Sequence, residues 1–515
     1  MKSDHRFRSE SHRRAVAVVL AALLWWVLAA CGGGGNFDSG SNKESGGGGG
    51  TLTIAQSSDI DTMDPAMHRS RINENVVRNV FDALVNQDQS LKPVPELATS
   101  WEQVSPTQWR FHLRPGVKFQ NGEPFNAGAV KFSIERVLDP KQASPRASLL
   151  SMISAVTAED DNTVLIDTDG PAPTLLAELS VNEIVPPDYV KKVGDAEFAK
   201  KPVGTGPFKF QEWVPNERVV LKANDDYWGG RPKVDTMVFK PIPEDSARIA
   251  AVQSGDVQIA AEIPADLAKS LTGNVTAKSV RGTRIFFLAM NVTKPPFDQT
   301  PVREAVNKAI DRDTIVKTIY QGFARPLNQP AFPEMVGYDK GFQGYPYDKQ
   351  AASQVLQGLG PVSIDVSEAN KTLAQAVAGQ LQAAGMTVAV NVLEDQAFDD
   401  ATEKGASQAY IDSWGVAEGD ADVIFERHFW SPARKDAFYT GYANPRLDEL
   451  IQRGRSTESG QERESIYAEA TTQVMADAPW APLVNPDEIY GVSTSVHGWE
   501  PSPIGRFNAT RVTLG

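Results

Sequence analysis

Sixteen apolar residues run without a break from Ala15 to Ala30, behind a stretch carrying Lys2, Arg6, Arg8, Arg13 and Arg14. A basic head, an apolar stretch too short to cross a bilayer comfortably and small residues at its end make a secretory signal. From Thr51 onward the pattern changes to short periodic stretches. Thr51–Ala55, Trp109–Arg114, Arg218–Lys222, Asp235–Lys240 and Arg284–Asn291 alternate or run apolar over lengths that predict strands. Helical spacing appears over Glu74–Leu84, Ala127–Val137 behind a capping Asn126, and Asp245–Gln253 before Gly255. Thr300-Pro301 predicts a further helix start, and helices are expected near 349–358, 368–384, 418–428, 446–454 and 459–477. Asn121-Gly122 is a hairpin turn signal. Strands alternating with helices over this length predict an α/β protein with two sheet-based lobes.

Between signal and folded body lies a segment, 32–50, with ten glycines. It cannot pack a core and acts as a flexible tether. Cys31, the one cysteine of the chain, stands between the signal and this tether. Leu28-Ala-Ala-Cys31 resembles a bacterial lipobox, in which the cysteine is acylated and becomes the mature N-terminus. Two or three acyl chains would anchor the protein stably at the membrane. The five basic and two acidic residues of 1–30 leave with the signal, moving the formal net charge from −14 to −17. So acidic a surface argues against nucleic-acid binding. No other apolar run approaches the roughly 20 residues of a membrane span. With no second cysteine, intrachain disulfides are excluded.

The motifs of common enzyme chemistry are absent: no phosphate-binding GxxxxGK[ST], no HExxH, no GxSxG and no GxGxxG after a strand. His68, His112, His428 and His497 are too far apart in sequence to form a local metal signature. Asp399-Asp400 and Asp420/Asp422 are expected on solvated faces or as caps. No catalytic residues, metal or cofactor are therefore assigned.

Several stretches then converge. They include Thr62-Met63-Asp64-Pro65, Leu97–Trp101 with Trp109–Lys118, Asn121–Ala127, Gly204-Thr-Gly-Pro-Phe208 and Asn224–Lys233. Asn291, Pro296-Phe297-Asp298, Val302–Ala305, Ala309–Asp311, Gly337-Tyr338 and Tyr345–Asp348 follow. On these the chain resembles the extracytoplasmic solute-binding proteins of ABC importers, in the family that takes up peptides and nickel complexes. The resemblance implies a periplasmic-binding-protein-like clamshell of class II, the large cluster with an extra subdomain. It divides the chain into a lipoprotein signal (1–30), an anchored linker (31–50), lobe I (51–78, 200–290 and 485–515), the extra subdomain (79–199) and lobe II (291–484), with crossings near Asn291 and Pro482–Pro486. It also implies a monomer that captures peptides or similar solutes outside the cytoplasm and hands them to an ABC permease and its ATPase subunits.

In peptide-binding relatives a Trp-x-x-Asp strand captures the ligand's α-ammonium. The corresponding run here is Trp414-Gly415-Val416-Ala417-Glu418, with Ala417 at the carboxylate position. Either Glu418 takes over that role, or the solute lacks a free amine there. A metal chelate or other non-peptide solute fits the second case. Asp61, Thr62 and Met63 are expected to face the solute from lobe I, with Tyr338, Tyr410 and Phe81 as candidate walls, while His68 and His428 would matter only for a chelate.

Overall fold

The computed structural model describes residues 49–433 and 439–515. The signal segment, Cys31 and nearly all of the glycine-rich tether lie outside the described residues.

Among the described residues one large mixed sheet runs through the body. In spatial order its path is Val388–Leu393, Val362–Ser367, Ala409–Gly415, Arg284–Met290, Trp480–Ser493, Ile259–Ala260, Thr51–Gln56, Thr236–Pro241, Arg218–Ala223 and Phe208–Val214. The strand Trp480–Ser493 is shared between its two halves. Its first part pairs with Arg284–Met290 and Ala324–Pro326, its second with Val275–Arg281 and Ile259–Ala260. A separate four-stranded antiparallel sheet is ordered Ala98–Ser105, Gln108–Leu113, Thr163–Thr168, Ile153–Asp160.

Each half buries its own apolar faces. Leu52, Ile54, Phe208, Phe239 and Trp499 pack on one side, and Leu288, Val306, Ile364 and Leu381 on the other. The four-stranded sheet carries a third core around Leu84, Phe111, Val130 and Ile166. Two lobes and a subdomain follow from these separate cores and the one shared strand.

The passage between halves lies at Gly282-Thr283, where Val275–Arg281 turns into Arg284–Met290, ahead of the Asn291 that the sequence suggested. Asn291 instead ties the far end of its strand, its amide donating to the carbonyls of Gly405 and Ser407 at 3.1 Å. At the passage a Cβ on Gly282 would lie 2.9 Å from the Pro486 carbonyl, so only glycine lets the two crossing strands approach. Asn485 locks the crossing, its amide donating to the Gly282 and Arg284 carbonyls at 2.8 Å.

The helix predicted over Glu74–Leu84 is Arg71–Val77 and stops early. The Val80 carbonyl accepts from Gly206 N–H at 2.9 Å, and the Asn79 carbonyl from Phe208 N–H at 2.8 Å. A Cβ on Gly204 would meet the Val80 oxygen at 2.1 Å. The Gly204-Thr-Gly206 motif thus exists to let a distant loop take over the carbonyls that would have continued the helix. Asn126 caps Ala127–Leu138 as predicted, accepting from Ala129 N–H at 3.1 Å. The helix opened by Pro301 is Thr300–Ala309, with Gln299 rather than Thr300 at the cap position.

Candidate functional site

The loop after Thr51–Gln56 carries the Thr62-Met63-Asp64-Pro65 motif. Asn73 holds it, accepting from Asp61 N–H at 3.2 Å and donating to the Thr62 carbonyl at 2.8 Å. Asp64 is buried and pairs with Arg136 of the subdomain, Oδ1 accepting from Nη1 at 2.9 Å. Met63 is fully buried in the first lobe's core, so its side chain packs rather than faces a solute. Asp61 stays exposed and Thr62 half-buried. His68 lies with its ring nitrogens 3.2 and 3.3 Å from Arg146 Nη2. Burial and then Arg146 push its pKa down to about 4.

On the second lobe the strand Ala409–Gly415 runs into a tight loop, 416–421, where the sequence suggested a helix from 418. Val416 N–H donates to the Thr283 carbonyl at 3.0 Å, Val336 N–H to the Gly419 carbonyl at 2.9 Å, and Ala421 N–H to the Val336 carbonyl at 3.1 Å. Gly419 is left-handed at φ +64°. Asp420 and Asp422 are buried, not solvated. Asp420 Oδ1 accepts from Arg463 Nη2 at 2.9 Å within a two-pronged ion pair, and Asp422 accepts from the Tyr467 hydroxyl at 2.5 Å. Helix begins only at Asp422, and a wide helical turn, Phe425–Phe429, continues it. The sequence-named residues divide here. Trp414 is half-buried with its ring 5.0 Å from His428 and the Arg427 guanidinium 5.5 Å above it. Gly415 is exposed, Ala417, Glu418 and Tyr338 half-buried. Val416 and Tyr410 are enclosed in the second lobe's core and Phe81 in the first's, packed against Phe198, so none of these three presents a free wall.

The opposite side is built by the subdomain. The hairpin Val85–Gln87/Pro93–Pro95 reaches over to the loop. Gln87 Nε2 donates to the Ala417 carbonyl at 2.9 Å, while its Oε1 accepts from Ser180 Oγ at 3.1 Å. Leu91 at the hairpin tip is left-handed (φ +61°), 7 % exposed, and packs into the second lobe's core cluster. Just before Ser180, Glu178 sits in the helix Leu175–Leu179, buried. Glu178 Oε2 and Glu418 Oε2 are both enclosed with no hydrogen-bond partner among the described residues. Burial, then the charge of Glu418, pushes the Glu178 carboxyl well above the usual range. Burial likewise raises Glu418.

At the crossing, Arg284 pairs across the sheet with Gly415. It donates to Ser413 Oγ at 2.9 Å and makes no ion pair among the described residues. Nearby Arg71 is already paired with Glu488. Burial, and then Arg71, hold Arg284 below the usual arginine range. The arrangement offers enclosed carboxylate oxygens near Ala417 and an unpaired guanidinium beside Gly415. Gln87, Glu178 and Arg284 carry no motif. Only their spatial approach to the Trp414 run identifies them.

The family model of bacterial extracellular solute-binding proteins, family 5, matches residues 92–435. The glutathione-binding protein GsiB of Pectobacterium atrosepticum is 30% identical over 474 residues, 87% of this chain and 91% of that protein. The structure of DppA from Helicobacter pylori, an ABC transporter-associated periplasmic binding protein in complex with the peptide STSA, is 28% identical with a TM-score of 0.75, covering 91% of this chain and 98% of that one. The ABC transporter substrate-binding protein CtaP of Listeria monocytogenes, at 22% identity and TM-score 0.82 over 91% of this chain and 99% of that one, shares the fold.

Proposed function

The chain belongs to the bacterial extracellular solute-binding proteins of family 5, and from that premise we propose that it is a lipid-anchored receptor for short peptides or peptide-like solutes with a free amine. It delivers them, unaltered, to an ABC permease. The observation that carries this reading is Glu418, whose enclosed Oε2 lacks a hydrogen-bond partner among the described residues, one residue beyond Ala417. A buried carboxylate without a counter-charge costs several kcal/mol, and a solute ammonium removes that cost. Of the two alternatives posed by Ala417, this favours Glu418 as the replacement carboxylate. The likeness to a glutathione-binding protein and to a peptide complex supports the same class of solute.

Arg284 suits the other end of such a zwitterion. An unpaired guanidinium is matched by a carboxylate through two parallel hydrogen bonds. Trp414, Gly415, Ala417, Tyr338, Asp61 and Thr62 line the path between, with exposed backbone at Gly415 available to an extended ligand. Binding works by population shift: the solute stabilises the closed form because both lobes touch it only there. Cys31 would keep the protein at the membrane, with the glycine-rich segment as its tether.

Calorimetric titration tests this with glutathione, tri-alanine and its N-acetylated form. Binding of at least one free-amine peptide, lost on N-acetylation and in Glu418→Gln, is expected. Unchanged binding after acetylation, or retention of a single metal chelate from the host instead of peptides, would remove the reading.

A further inference from the structure

We infer that Glu178 is the second jaw of a two-carboxylate clamp, so that a primary ammonium is gripped between the subdomain and the second lobe and the charge of the solute itself drives closure. This rests on the amine reading above and adds to it a residue from the opposite side of the cleft.

Gln87 bridges the two sides, accepting from Ser180 and donating to Ala417. Glu178 lies two residues before Ser180, and Glu418 one residue after Ala417. One glutamine therefore ties the segment that carries Glu178 to the loop that carries Glu418, and the charge of Glu418 acts on the buried Glu178 carboxyl across this contact. Glu178 is 6 % exposed, and its Oε2 and that of Glu418 are enclosed without partners among the described residues. The charges around them are few. Arg69 is exposed, hydrogen-bonds Ser148 Oγ at 3.5 Å, and is the cation that partly offsets the charge of both carboxyls without bonding to either among the described residues. Asp420 is ion-paired with Arg463, yet its charge still adds to the repulsion on Glu418. After burial, the charge of Glu418 raises the cost of ionising Glu178.

Such an arrangement opposes closure of the empty protein, because closing buries two like charges. A cation reverses the balance. The fitting group is a primary ammonium: a compact charge with three N–H donors, one for each free oxygen and one for a backbone carbonyl. A guanidinium prefers both oxygens of one carboxylate, and a quaternary amine donates nothing. Since the clamp exists only when the lobes meet, the ammonium binds closed and open forms unequally, which is what a population shift requires.

Primary ammonium can come from a peptide α-amine or from a lysine side chain. The test uses native mass spectrometry with a mixed tripeptide library, the same library N-acetylated, and N-acetylated lysine peptides. Circular dichroism checks that each variant is folded. Wild type should retain free-amine peptides and lose acetylated ones. Retention of acetylated lysine peptides alone would place the side-chain amine in the clamp and still support it. Glu178→Gln should weaken retention about tenfold or more, the scale of one charge-assisted hydrogen bond, and Glu178→Asp should restore part of it. In the ligand-free state Glu178→Gln should be more compact by solution scattering, because the repulsion is gone. If Glu178→Gln binds as wild type while Glu418→Gln does not, the clamp is wrong and the amine reading survives. If neither substitution matters, or acetylated non-lysine peptides bind equally, both fall.

Discussion

Leu91 provides a direct test of whether the seam between subdomain and second lobe belongs to the closing motion or to the static fold. The side chain is 7 % exposed, and a Cβ placed on Gly419 would lie 3.1 Å from it. Its neighbours in the core cluster belong to the second lobe. Leu91→Ala deletes three carbons, and at about 0.8 kcal/mol each the loss is about 2.4 kcal/mol. The left-handed backbone at φ +61° costs alanine as much as leucine, so that contribution cancels. In an open form the leucine would lie in water. The loss therefore falls on the closed form alone, and the closing constant should drop about sixtyfold. Calorimetry should report a comparably weaker peptide affinity, while the melting temperature of the ligand-free protein stays within a degree or two. Melting several degrees lower with unchanged affinity would show that Leu91 is ordinary core and refute the seam as a moving interface.

Other consequences follow from the same geometry. Arg463→Met leaves Asp420 buried and unpaired, and should lower stability by about 3–5 kcal/mol in urea denaturation, with part regained on adding Asp420→Asn. Arg284→Gln should weaken a free-acid peptide roughly ten- to a hundredfold while leaving its C-terminal amide unaffected, and equal losses for both would contradict the carboxylate role. Glu178 and Glu418 both titrate above the ordinary 4.5 in the closed form. Protonation therefore favours closure of the empty protein, fully so below the ordinary value, and the effect is lost as pH rises through the raised ones, with Arg69 and Asp420 the other charges facing the pair. An ammonium displaces that proton, so apparent binding enthalpies at mildly acidic pH should differ between buffers of unequal ionisation heat, and identical enthalpies would count against it.

Local chemistry made much of the fold legible. Asn126 before an apolar-periodic stretch, Pro301 inside a helix start and alternation over Arg218–Lys222 each specify an element through forces acting within a few residues. The failures have a common cause. Nothing near Glu74–Leu84 reveals that Gly206 and Phe208 will take the carbonyls of Val80 and Asn79. Asp420 and Asp422 look like solvated acids until Arg463 and Tyr467, more than forty residues on, fold back on them. The run Arg284–Asn291 was recognisable as a strand, but its partner strand, and hence the crossing at Gly282-Thr283, depends on the register with Ala409–Gly415. The Trp414 run stands out only through its family resemblance, which also marks the missing carboxylate at Ala417. Glu178 stayed hidden because its meaning comes entirely from a neighbour 240 positions away.

Solution scattering on protein stripped of solute by unfolding and refolding, then titrated with a free-amine tripeptide, tests the account most directly. The radius of gyration should fall on addition, remain unchanged with the N-acetylated peptide, and the peptide recovered afterwards should have its original mass. A particle that never contracts, one that contracts regardless of acetylation, or a recovered peptide of altered mass would contradict it.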